Sequence, residues 1–278
     1  MFLDNLLKKN NIYVGYINRF FLGFVFTYFF SFSSFAFGEN KSSEIYFPSQ
    51  EFWMGNKKGE GRSDEEPRHK VFLDGFYIDK FETTGEDFEK FLEQFPKEAP
   101  TVTGWFGRKV RPDMETAPVI GLTWKRCQKY CQWKGKRIPT EAEWERAATG
   151  IEERRYPWGN QLPSQKRANF KKCCFIKKGE ILDPVGSYEL GKTPEGVYEM
   201  AGNIAEWVFD WYDKDFYEKS PYSNPKGPKS GKYHVIRGGA WNSLPGYLRS
   251  RARYGFNDGQ DFYGIGCRCA RTSMPSEK

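Results

Sequence analysis

Histidine is almost missing from this 278-residue chain: His69 and His234 are the whole supply. They lie far apart and neither has a histidine neighbour, so no short stretch carries an imidazole cluster of metal-binding spacing. Lone histidines are more often surface or core residues than ligands. Concentrated positive charge is missing too. The net charge is +7, but lysines and arginines are scattered rather than gathered on one helix, which argues against nucleic acid as a partner and for a soluble surface. After residue 40 there is neither a low-complexity run nor a Pro/Ser linker. Nothing cuts the chain, so one large domain is expected, against a prior of roughly 100–200 residues per domain. Disorder is excluded by the aromatics, 18% of residues and well spread, which supply a core.

Long hydrophobic runs are confined to one place. Lys8, Lys9 and Arg19 precede FFLGFVFTYFFSFSSFAFG (20–38), where Ala36 and Gly38 stand just before Glu39. A basic start, an apolar middle and a small-residue exit make a secretory signal. The run approaches the roughly 20 residues of a membrane span, so an uncleaved anchor is the alternative. Ser31, Ser33 and Ser34 dilute it and favour cleavage. Either way the chain is expected to be exported, to a periplasm or the extracellular space, and to meet a membrane only if the segment stays. No cysteine stands directly after the cut, where Glu39 does, so a lipidated amino terminus is not expected. Losing 1–38 removes three basic residues and Asp4, lowering the net charge from +7 to +5. The expected organisation is a signal or anchor at 1–38, a short leader at 39–50, one domain at 51–272 and a tail at 273–278.

Six cysteines in an exported chain point to disulfides before metal sites. Cys127 and Cys131, four apart on a predicted helix, share a face, as do Cys267 and Cys269, two apart on a predicted strand. Two parallel bridges between helix and strand fit that spacing. A four-thiolate zinc site is the alternative, disfavoured by its uncommon spacing and by the oxidising compartment. The adjacent Cys173 and Cys174 can bridge each other, pair elsewhere or stay free.

Short strands are expected around 52–54 and 71–78. Thr83 with Glu86 has the capping-box spacing before Phe88, Phe91, Leu92 and Phe95, whose i, i+3, i+4, i+7 recurrence predicts a helix with one buried stripe. Thr123 caps a second helix carrying Trp124, Cys127 and Cys131, ending near Gly135. Thr140 and Glu143 repeat the box before Trp144, Ala147 and Ala148, with Gly150 as the stop. From Tyr156 onward Pro and Gly are so frequent that regular elements must be short. Strands return at YHVIRGG (233–239), YLRSRAR (247–253) and GIGCRCAR (264–271). Early helices, few scattered strands and long loops read as an α+β fold.

The stretches PRHKVFLDGFYIDKFETT (67–84), GKRIPTEAEWERAA (135–148), YPWGN (156–160), GVYEMAGNIAEWVFDWY (196–212), VIRGGAW (235–241) and GIGCRCAR follow one another in this order. Together they resemble the formylglycine-generating enzyme, or sulfatase-modifying factor, family, over roughly Phe52 to Arg271. The resemblance implies a single α+β domain with little regular secondary structure, related to the C-type lectin fold. Members include copper-dependent oxidases of a sulfatase cysteine, iron-dependent sulfoxide synthases, siderophore-tailoring periplasmic proteins and ligand-binding proteins.

The resemblance also says where chemistry belongs. In the oxidases the double glycine is followed by Ser, two residues, Cys, four residues and a second Cys, and the two thiolates bind Cu(I), a soft metal on soft ligands. Here Gly238 and Gly239 are followed by Ala240 in place of the serine, Ser243 in place of the first cysteine and Leu248 in place of the second. Leucine binds no metal and an alcohol stays protonated near neutral pH, so copper is not expected. The iron-dependent branch needs a histidine cluster that is absent from the sequence. Cys131 and Cys269 match the family's structural disulfide, with Cys127 and Cys267 as extra cysteines beside it. EMAGNIAEW resembles a calcium loop, implying the side chains of Glu199 and Glu206 and the carbonyls of Gly202 and Ile204 as oxygen ligands. The alternative has Asn203 capping a turn and Glu206 paired with an arginine. A second calcium loop matches only through Asn169 and Phe170, its downstream aspartate having no counterpart near Lys177, and is expected to be absent.

What remains at the would-be active site is Trp241, Asn242, Ser243, Tyr247, Arg249 and Arg251, with Trp207 close in motif order. Aromatics and arginines are recognition hot-spot types, and equally ordinary packing residues. The first reading is a calcium-stabilised, disulfide-linked exported module without formylglycine-generating activity, whose cleft binds a peptide, glycan or small molecule. The second is an oxidoreductase of the family's type with an altered site, recruiting Cys127, Cys267 or the Cys173/Cys174 pair and acting on a sulfatase-type cysteine or another substrate. A third is a sulfatase accessory without activity.

Overall fold

The computed structural model describes residues 43–101, 105–106, 109–172, 181–257, 259 and 262–274. The apolar segment 20–38 and the Cys173/Cys174 pair lie outside them. Among the described residues no helix is long and apolar enough to cross a membrane.

Alternating aromatic and β-branched residues open the chain as four strands, β1 (Glu44–Phe47), β2 (Gln50–Met54), β3 (His69–Leu73) and β4 (Phe76–Asp79). β2 pairs antiparallel with β3, and β1 with β4, where Phe47 faces Phe76 and the two rings stack at 5.1 Å. β1 falls inside the stretch expected to be a leader, so the folded body starts before Glu51. The first helix, α1 (Gly85–Gln94), buries Phe88, Phe91 and Leu92 as its periodicity requires. Its cap is one residue later than expected: Thr84, not Thr83, accepts from the Asp87 amide. The Thr83 amide donates instead to the Cys267 carbonyl, which holds that residue outside the helix.

A hairpin of β5 (Trp105–Phe106) and β6 (Lys109–Val110) leads to α2 (Trp124–Trp133), capped by Thr123, and α3 (Glu141–Thr149). The capping box of Thr140 and Glu143 is complete, and Gly150 ends α3 at φ 65°. Between Gly150 and Ile204 the described residues form no helix or strand. Buried Tyr156, Ala168, Phe170 and Met200 hold that region instead. A mixed sheet follows in the order β10-β7-β8-β9, from β7 (Ala205–Trp211), β8 (His234–Arg237), β9 (Arg253–Phe256) and β10 (Ile265–Gly266), with β10 parallel to β7. β11 (Ala270–Thr272) completes a second sheet, β1-β4-β11.

Two expected strands differ. In YLRSRAR a 3-10 turn at Pro245–Leu248 buries Leu248, and extended pairing begins only at Arg253, because the Ser250 carbonyl is drawn inward to the Arg237 guanidinium (2.9 Å). GIGCRCAR divides into β10 and β11, because Arg268 between them turns inward to Glu206. Cys127 is bridged to Cys267 and Cys131 to Cys269, with Cα atoms 5.6 Å apart in both, tying α2 to the β10–β11 connection. All four sulfurs are engaged in the two bridges.

Candidate functional site

The site is built outward from the end of β8. Arg237 is wholly buried, its guanidinium held by Glu141 (2.8 Å) and Glu145 (2.6 Å) of α3. From that anchor Gly238 (φ 89°) and Gly239 (φ 72°) reverse the chain, in backbone conformations that favour glycine. A Cβ on Gly239 would lie 3.2 Å from Ser243 Oγ and 3.3 Å from Leu248 Cδ2. The two positions that the resemblance assigns to thiolates therefore converge on one point, and an alcohol and an isobutyl group stand there. Ser243 Oγ accepts from the Ala240 amide (2.9 Å), while Leu248 packs among Tyr156, Ala168 and Phe170. The loop is clamped from outside: the amides of Lys171 and Lys172 donate to the carbonyls of Ser243 and Trp241.

Beside this point opens a cavity of about 280 Å³. Ala205, Ile236, Ala240, Phe256 and Ile265 make its apolar wall, and Asn242 and Ser243 its polar edge. Tyr247 and Tyr254 stack at 5.1 Å on one side, with the Arg62 guanidinium over Tyr254 at 4.5 Å. Leu244, Tyr247, Phe262 and Tyr263 are exposed nearby. The arginines around it are turned into carboxylates: Arg237 into α3, Arg249 bidentate onto buried Glu65 (2.6 and 2.8 Å), and Arg251 onto Glu153 (3.4 Å).

Of the expected contact residues, Asn242, Ser243 and Tyr247 line the cavity, and Trp241 is half-buried against two core clusters. Three expectations are corrected. Trp207 is fully buried with its indole N–H on the Leu122 carbonyl (2.7 Å), and Arg249 and Arg251 are held by the ion pairs above. Tyr254, Phe256 and Phe262 were not expected at the site. The first two stand two apart on β9, so their shared face was available from strand periodicity.

The calcium expectation meets a different arrangement. Both oxygens of Glu206 accept from Arg268 (2.8–3.1 Å), and Oε2 also from the Trp144 indole (2.7 Å). Glu199 accepts from the amides of Gly186 (2.9 Å) and Tyr188 (3.3 Å), and burial pushes its carboxyl up to about 7. Glu82, buried close by, accepts from Asn203 Nδ2 (2.7 Å), and burial followed by the charges of Glu206 and Glu199 raises it well above the usual range. Arg268 is the resident cation of this cluster, and an ion would have to displace it from Glu206. Of the four ligands expected, Glu199, Glu206 and the Gly202 and Ile204 carbonyls, Glu206 is thus not open to an ion as placed. The pairing of Glu206 with an arginine is what the fold contains. At the other loop Asn203 Oδ1 accepts from Asn169 Nδ2 (3.0 Å) and from the Asp183 amide (3.2 Å), and the Asp183 carboxylate pairs with the Lys172 ammonium (3.1 Å).

An α+β body with few helices, a disulfide-tied β10–β11 connection and a cleft behind a double glycine define a protein of the formylglycine-generating architecture. Residues 35–273 match the sulfatase-modifying factor enzyme 1-like domain, and the chain belongs to that family. It is 36% identical to the serine/threonine-protein kinase pkn1 of Chlamydia caviae, over 82% of this chain and 37% of the relative. It is 30% identical to the formylglycine-generating enzyme of Mus musculus, over 84% of this chain and 76% of that enzyme. The chain spans little more than a third of the length of the chlamydial relatives it matches. Among solved structures it resembles PvdO from Pseudomonas aeruginosa, with a TM-score of 0.71 and 25% identity, covering 83% of this chain and 94% of that one.

Proposed function

We propose that the chain is a binding module on a formylglycine-generating frame, whose uncharged cleft takes an apolar side chain of a peptide partner, and that it does not convert cysteine to formylglycine. The observation that carries this reading is the convergence of Ser243 Oγ and Leu248 on Gly239, which supplies no soft ligand for Cu(I). The apolar wall and the exposed aromatics beside it favour an apolar ligand. The run at 20–38 and the two bridges support export to an oxidising compartment. Kinase activity is not part of the proposal: the sequence contains neither His-Arg-Asp nor Asp-Phe-Gly.

The test incubates residues 39–278 with Cu(I) and a peptide bearing the family's Cys-x-Pro-x-Arg target and follows peptide mass, with an authentic family oxidase alongside. No conversion is expected, and conversion would overturn the reading. N-acetylphenylalaninamide, uncharged and apolar, should shift the NMR signals of Tyr247 and Tyr254 saturably, and its failure to do so would remove the ligand class.

One observation favours the oxidase as a second reading. The hydrogen bonds from Lys171 and Lys172 bring the chain to Ser243 and Trp241 immediately before Cys173 in sequence. Alkylation of the folded chain decides it: two reactive thiols at Cys173 and Cys174, together with conversion of the peptide, would replace the binding module by an oxidase.

A further inference from the structure

A second cavity, of about 270 Å³, lies away from the double-glycine loop, between the β3–β4 turn, the start of α3 and the loop before β8. Leu73, Ile138 and the half-exposed ring of Phe209 give it an apolar floor. Its charges are arranged in two ways. Arg137 is neutralised by a bidentate bond to Glu143 (2.6 Å), so that wall carries no net charge. Asp74 and Lys226 also line the cavity, yet among the described residues neither has an ion-pair partner.

The carboxylate is held by a side-chain contact, while the ammonium is exposed and only its backbone is fixed. The Asp74 carboxylate is aimed by Asn224, whose Nδ2 donates to Oδ2 (2.9 Å) while its Oδ1 accepts from the Asp74 amide (2.9 Å). Asn224 is itself fixed by its amide bond to the Phe72 carbonyl (2.8 Å). Lys226, exposed, stands between the buried Pro225 and the half-buried Gly227. At Gly227 the backbone has φ 71°, and a Cβ would come within 2.7 Å of Asp210 Cβ, so this stretch of loop is pressed against β7. A fixed anion and an open ammonium over an apolar floor make a surface complementary to a molecule with the opposite two charges and an apolar body.

We propose that this cavity binds a small zwitterion of the apolar α-amino-acid type, its ammonium on Asp74, its carboxylate on Lys226 and its side chain over Leu73, Ile138 and Phe209. A volume of this size accommodates one such molecule. The site is independent of the cleft beside Gly239, and its ligand carries the charges that the cleft does not meet.

The test titrates the full chain with L-phenylalanine and follows the Ile138 methyl signal by NMR. Saturable shifts at Ile138 are expected. Asp74→Asn and Lys226→Met, both surface changes, should each weaken binding by about fivefold, the size of one partly exposed charge contact. Phenethylamine and 3-phenylpropionate, each lacking one charge, should weaken to a similar degree. No saturable shift at Ile138, or equal affinity for all three compounds, would overturn the proposal. A response confined to Tyr247 and Tyr254 would assign the ligand to the other cleft and also overturn it.

Discussion

Ser243 and Leu248 decide what the loop behind the double glycine can hold, and restoring their counterparts is a direct check on the geometry. A chain carrying Ser243→Cys with Leu248→Cys is expected to bind one Cu(I) more than the wild type in an anaerobic competition titration. No gain would mean that the two positions do not meet. Glu206→Ala leaves Arg268 buried without its carboxylate and should cost about 3–5 kcal/mol in denaturant unfolding, while chelators leave the wild-type melting temperature unchanged. A chelator-dependent fall would restore the calcium expectation. Asp210, buried at the α3 start, accepts from the Glu141 amide (2.8 Å), and burial followed by the Glu141 charge raises its carboxyl well above the usual range. The folded state then keeps a proton that the unfolded chain loses above about pH 4, so this group's contribution to stability falls as pH rises from there toward the raised value. Asp210→Asn retains an acceptor and should flatten that decline in a pH series of melting curves. The substituted positions 240, 243 and 248 were legible because they sit at fixed offsets from a recognisable motif. The fate of Arg249 was not, since its carboxylate partner lies 184 residues away in sequence.

At the scale of elements, local chemistry was readable where it acts locally. The Thr140–Glu143 box and the Gly150 stop need only neighbours in sequence, and both form as expected. The α1 cap slid by one residue because a tertiary bond from the Thr83 amide to Cys267 competes with the local pattern. Thr84→Ala should therefore destabilise the fold by about 1 kcal/mol, and Thr83→Ala by less, as read from denaturant midpoints. The strand expected at 247–253 gave way for a similar reason. Its alternation is real, but Leu248 and Ser250 face partners in the core rather than a neighbouring strand. The bridges are tertiary elements of the same kind. Losing Cys131–Cys269 through paired serines should cost about 2–5 kcal/mol, measured against the wild type by denaturant unfolding.

Taken whole, the molecule is a small amount of regular structure organised by an unusual interior. Glu141 receives both Arg237 (2.8 Å) and Arg253 (2.7 Å), Glu145 receives Arg237 and the Gly55 amide (2.7 Å), and Glu206 receives Arg268, all out of contact with water. Such pairs add little net stability over a well-packed apolar core, but removing one partner is severe. Loops that carry few backbone ladders can slip, and greasy packing alone forgives a slip. A misplaced arginine in this interior does not, because it strands a charge in hydrocarbon. The interior therefore penalises any shift of loop register that parts Arg237, Arg253 or Arg268 from its carboxylate. Residues at the rim, such as the exposed Leu244 and Phe262, take no part in those ion pairs, so that surface is free to be rewritten while the threading beneath it is kept.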